Sequence, residues 1–136
     1  MKPLLPVLLL ALLSCSTSPS LTIEQQTIEA YVKASANDPS SYEAVRWGKA
    51  AAYTRRDSAA TAAAVLSARY SATANSPDIE GRAKLIKEAI RLENITDTTR
   101  IGTQLTHAYR GKNKVGALVL DSAHFVVYKP GKVVRL

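Results

Sequence analysis

The sequence predicts an α+β domain: an N-terminal helix, one strand, a helical segment, then a C-terminal three-strand antiparallel meander. Three observations carry this. Thr22 opens a helix-start pattern followed by apolar residues at helical spacing. Residues 59–92 combine alanine with Leu and Ile three or four residues apart. Residues 101–136 alternate polar and apolar between Gly-containing turns.

The first helix is expected over 22–36. Thr22 and Gln25 form a capping-box pair, and Ile28, Tyr31 and Val32 mark the buried stripe. Asn37-Asp38-Pro39-Ser40 stops it, because a proline disfavours helix in the residue before it and Asn and Asp make local turn bonds. Tyr42 to Arg55 then alternates, with Val45, Trp47, Ala51 and Tyr53 on one face and a bend at Gly48.

Asp57-Ser58 is expected to cap a helix from Ala59 to Ala74 that buries Val65, Leu66 and Tyr70. Pro77-Asp78 starts a second helical stretch, with Ile79, Ala83, Ile86 and Ile90 on one face. Residues 57–92 read as one kinked helix or as an antiparallel pair, with Pro77 favouring a break. Asn94-Ile95-Thr96 reads as a helix-end turn.

In the meander, Ile101, Thr103, Leu105, His107 and Tyr109 share a face, and Gln104, Thr106 and Arg110 take the other. Residues 111–116 form a turn, 117–128 a strand rich in Leu, Val and Phe, and Pro130-Gly131 a type II or longer turn before the last strand, 133–136. Each strand has one apolar side, so the helices are expected on one sheet face.

Ahead of this domain, residues 1–14 have the character of a signal peptide. Lys2 precedes an apolar run from Leu4 to Leu13, shorter than the roughly 20 residues that span a bilayer. Leu12-Leu13-Ser14-Cys15 resembles the lipobox of bacterial lipoproteins. Cys15 is the only cysteine in the chain, and a small polar tether follows it, so residues 15–21 read as lipidated cysteine and linker. Leu13 is larger than the residue lipoboxes usually carry. The resemblance implies a diacylglycerol on Cys15 and acylation of its amino group after cleavage. It also implies an exported, lipid-anchored protein on the periplasmic face of the outer membrane, since Ser16 is not the aspartate that signals retention. Residues 22–136 are then a single domain.

The segment 107–121 (HAYRGKNKVGALVLD), together with Asn37-Asp38-Pro39-Ser40-Ser41-Tyr42 and Arg46-Trp47-Gly48, resembles a family of small uncharacterised bacterial lipoproteins. That family has no established activity. The resemblance therefore implies a fold and an address, and no mechanism.

With its single cysteine assigned to lipid, the chain has no internal disulfide and no thiolate set for zinc or an iron–sulfur cluster. No cofactor or metal site is expected. The formal charge of +7 is concentrated in residues 100–136, where seven basic side chains face Asp121 alone. Arg110, Lys112 and Lys114 fall at one end of the expected meander, and Arg100, Lys129 and Lys132 at the other. These six are the candidate anion-binding residues, for lipopolysaccharide or glycan phosphates and carboxylates. Aromatic residues do not interleave with them as base-stacking platforms, so nucleic acid is not an expected partner.

His107 and His124, with Asp121 and Ser122, are the only set suggestive of hydrolysis. Neighbouring strands bring the two histidines close, but Asp121 and His124 are three apart and point to opposite faces. No catalytic residue is assigned. Trp47, the only tryptophan, is expected as a core anchor. The functional expectation is a non-enzymatic, membrane-anchored module that binds another envelope component, either a protein or an anionic glycan.

Overall fold

A computed structural model describes residues 20–136. The expected signal peptide, Cys15 and residues 16–19 of the expected tether lie outside the described residues. Helix α1 (Ile23–Ser35) begins as its sequence dictates: the Thr22 hydroxyl accepts from the Gln25 amide, and the Gln25 side chain accepts from the Thr22 amide. A short 3-10 turn (Pro39–Ser41), capped by Asp38, follows it.

Strands β1 (Glu43–Trp47) and β2 (Ala51–Thr54) run consecutively along one edge of β3 (Arg100–Lys112). On its other edge β3 pairs along its length with β4 (Leu118–Tyr128), and β4 pairs with the short β5 (Val133–Arg135), all antiparallel. Between β2 and β3 the chain makes an antiparallel helix pair, α2 (Arg55–Ala72) and α3 (Ile79–Glu93). The fold is α+β, and residues 57–92 contain two helices rather than one kinked helix.

Helix α2 starts earlier than Asp57. Thr54 is the cap and Asp57 is its reciprocal partner three residues in, so the acid assists the start instead of forming it. The buried residues of α2 are Ala59 and Ala63, while Val65 is about half exposed. On α3 the inward side is also displaced from expectation. Ile79, Ala83 and Ile90 are exposed, while Arg82, Leu85, Ile86 and Ala89 turn inward, with Arg82 laid over the Tyr70 ring at 4.9 Å. The buried residues of the pair are Ala59, Ala63 and Ala89, so small residues rather than Ile79 and Ile90 mark its inward side. Asn94 closes α3, its side chain donating to the Ile90 carbonyl.

The core lies between α1 and the odd-numbered residues of β3 and β4. Ile28 and Val32 pack on Leu105, Ala123, Phe125 and Val127, and the Tyr31 ring meets Phe125 edge-on. The strand expected over 42–55 with a bend at Gly48 is divided there into β1 and β2. Trp47 pairs with His107 and Tyr53 with Gly102, a separation of six residues against five, with one residue unmatched between Trp47 and Ala51 and further register shifts between Ala44 and Arg46 and between Tyr53 and Thr54. One unmatched residue reverses the alternation, so Trp47 faces α1 and Tyr53 faces the other side.

That reversal places the helices on both faces. Tyr53 is buried opposite α1, its hydroxyl donates to Thr61 of α2, and its ring meets the Tyr128 ring edge-on. Val126, on the same side, is fully buried. Helix α2 thus covers the end of the sheet nearest Tyr128 and leaves the end nearest Leu118 bare. The 128–132 turn contains a cis Lys129–Pro130 peptide and Gly131 at φ 106°.

Candidate functional site

His107 is fully buried on the α1 face. Its ring stacks on Trp47 at 3.5 Å, and Tyr42 and Tyr109 complete an aromatic layer. The Arg46 carbonyl can only accept, so Nδ1 carries the proton and donates to it at 3.2 Å. Nε2 then accepts from the Tyr42 hydroxyl at 2.8 Å. Burial lowers the His107 pKa below its ordinary 6.5, against the opposing influence of the Arg46 carbonyl and Glu29. Burial also pushes the Tyr42 hydroxyl up to about 12.

A buried neutral imidazole with both nitrogens engaged holds the β1–β3 junction together. His124 is exposed, pairs with Thr106 and occupies the opposite face. The sheet therefore separates the two histidines, although their strands are neighbours. Among the described residues, no group of three or more His, Cys, Asp or Glu is placed to hold a metal ion.

The pH dependence of stability follows from His107. The unfolded chain takes up a proton below about 6.5, whereas the folded chain resists it. Stability is expected to be full above that pH and to decline as pH falls from it toward the lower folded-state pKa. Urea midpoints measured across this window should diverge from those of His107→Gln, which lacks the titration. Parallel curves would contradict the assignment.

The six basic candidates occupy two ends of the sheet and differ in their surroundings. Near the β3–β4 turn, Arg110 approaches Glu43 at 3.6 Å and Lys112 approaches Asp38 at 3.4 Å. Lys114 sits in the turn itself, which the Asn113 side chain organises by accepting from the Val115 and Ala117 amides. At the other end, Arg100, Lys129 and Lys132 make no ion pair among the described residues.

One feature was not visible from composition or spacing. Strand β5 covers β4 only from Phe125 to Val127, with the Leu136 amide donating to the His124 carbonyl just beyond. From Leu118 to Ala123 the outer edge of β4 has no strand beside it among the described residues. The Tyr128 amide bonds toward β5, so even-numbered residues of β4 turn their backbone groups outward. Those of Leu118 and Leu120 are thus presented at the edge, while Asp121 occupies the Ser122 amide.

The side chains at this edge are apolar and accessible: Leu118 is 58% exposed, Val119 43% and Leu120 64%. On the α1 face the edge adjoins a cleft of about 230 Å³ lined by Tyr109, Lys112, Val119, Asp121 and Arg135. Burial raises the Asp121 pKa, but hydrogen bonds from Tyr109 and Arg135 outweigh it and hold the carboxyl below its usual range. An ionised Asp121 thus anchors Arg135 at the rim.

Comparison with family models, curated proteins and solved structures finds no match. No helix among the described residues is long and apolar enough to cross a membrane.

Proposed function

We propose that this chain is a membrane-anchored bacterial envelope lipoprotein that acts as a non-enzymatic binding module. The likeness of residues 12–15 to a lipobox supports the anchor, and the open edge of β4 supports the binding role. Its occupant is an extended segment of another envelope protein, added as a strand along Leu118–Ala123. Outward backbone groups of Leu118 and Leu120 supply the hydrogen bonds. Alternate side chains of the segment reach the 230 Å³ cleft on one face and the bare face beside Leu118 and Leu120 on the other. Such edges are ordinarily blunted by charge, proline or a covering element, and here three consecutive apolar residues occupy one. Polymer binding at the 110–114 end has less support, because Arg110 and Lys112 already face Glu43 and Asp38.

The test is in-cell photocrosslinking from position 118 of the full chain, with Cys15→Ala as the control for anchoring. Leu120→Pro removes an outward amide while leaving the β3 ladder intact, since proline is tolerated on that side of an edge strand. Its expected result is loss of the crosslinked product, with thermal unfolding retained. A product formed equally well by Leu120→Pro and Leu120→Lys would overturn strand addition.

A further inference from the structure

We propose that the end of the domain bearing Arg100, Lys129 and Lys132 rests on the anionic headgroups of the membrane that holds the anchor, leaving the open β4 edge turned away from it. This rests on the lipidation of Cys15 in the reading above. Three observations carry it.

The first is the position of the tether. The first turn of α1 and the 128–132 turn line one cleft of about 370 Å³, with Ile23, Glu24, Arg100, Thr103, Lys129 and Pro130 around it. The chain leading back from Thr22 to Cys15 therefore leaves the domain at this end. Seven residues extend at most roughly 25 Å, so this end stays within that distance of an anchored lipid.

The second is charge. Arg100, Lys129 and Lys132 are exposed and, among the described residues, none has a carboxylate within ion-pair distance, unlike Arg110 and Lys112 at the far end. Arg100 is held in place by donating to the Gly102 carbonyl at 3.0 Å and to Thr103 Oγ1 at 2.7 Å. The one acid of the cleft, Glu24, accepts from the Thr103 hydroxyl at 3.5 Å. Three cations against one partly engaged carboxylate leave a positive rim facing the bilayer. Each cation held within a Debye length of an anionic surface is attracted to it.

The third is apolar exposure. Ile23 is 79% exposed at the first position of α1, beside Pro130. An isoleucine projecting from a cationic rim suits the boundary between headgroups and acyl chains. The end nearest Leu118 is separated from this rim by the length of β4, some 11 residues, so the proposed partner edge remains accessible.

The experiment uses the full-length lipidated protein reconstituted into vesicles of phosphatidylcholine alone or phosphatidylcholine with phosphatidylglycerol. Amine-labelling rates are read by peptide mass at Lys129 and Lys132, with Lys114 as internal reference. Expected is a several-fold slowing at Lys129 and Lys132 in the anionic vesicles only, no change at Lys114, and reversal at about 1 M salt, where the Debye length is about 3 Å. Lys132→Glu is expected to lift the protection of Lys129. The same mass analysis reads the lipid adduct on Cys15. Equal labelling in both vesicles with the adduct present overturns this orientation while leaving the anchor intact. Absence of the adduct overturns both.

Discussion

Phe125→Ala is expected to destabilise the protein by about 3–5 kcal/mol, the range for truncating a buried aromatic residue. Phe125 is fully buried at the centre of β4, pairs with Leu105 and is closed over by Ile28, Val32 and the edge of the Tyr31 ring. Among the described residues one helix covers this face, so the cavity has few neighbours able to relax into it. Its loss also frees α1, whose attachment to the sheet depends on these contacts. The check is urea denaturation: the midpoint should fall with the slope unchanged. A cost under about 1 kcal/mol would mean that α1 is not held by this cluster.

Gly102→Ala is the second large effect, and it works by overfilling. A Cβ at this position would lie 2.6 Å from the Val127 carbonyl oxygen, a backbone atom that cannot rotate away. Gly102 is also the residue between Tyr53 and Tyr128, whose rings meet edge-on at 5.8 Å across it. The two tyrosines close over the space that a side chain would take, so the β3–β4 pair must separate locally. The expected cost is about 1–3 kcal/mol. Thr61 accepts from the Tyr53 hydroxyl, so the disturbance should extend to α2. Hydrogen exchange should show faster opening of the first turns of α2 in this variant than in Phe125→Ala. Exchange confined to β3 and β4 would show that α2 is held independently.

Much of the domain was legible from local sequence because its signals are local. The Thr22–Gln25 capping box, the stop at Asp38-Pro39 and the alternation from Ile101 to Tyr109 each act within a few residues, and the structure keeps all three. The start of α2 was misplaced because Thr54 and Asp57 are both good caps, and only the reciprocal bond decides between them. The inward side of α3 was misplaced for a different reason. Its isoleucines set the periodic signal, whereas the residue that α3 buries fully is Ala89.

The sequence by itself determined the α+β order of elements, the core face of β3 and the concentration of charge after residue 100, because propensity, alternation and composition are carried in the chain. Tertiary structure alone decided three things. One unmatched residue between Trp47 and Ala51 reversed strand parity and sent Tyr53 to α2 rather than α1. Register separated His107 from His124 by the thickness of the sheet. The short β5 left Leu118–Ala123 without a neighbour among the described residues, and only its length and register against the longer β4 show where pairing stops. Pairing is a relation between distant segments, and no window of local sequence contains it.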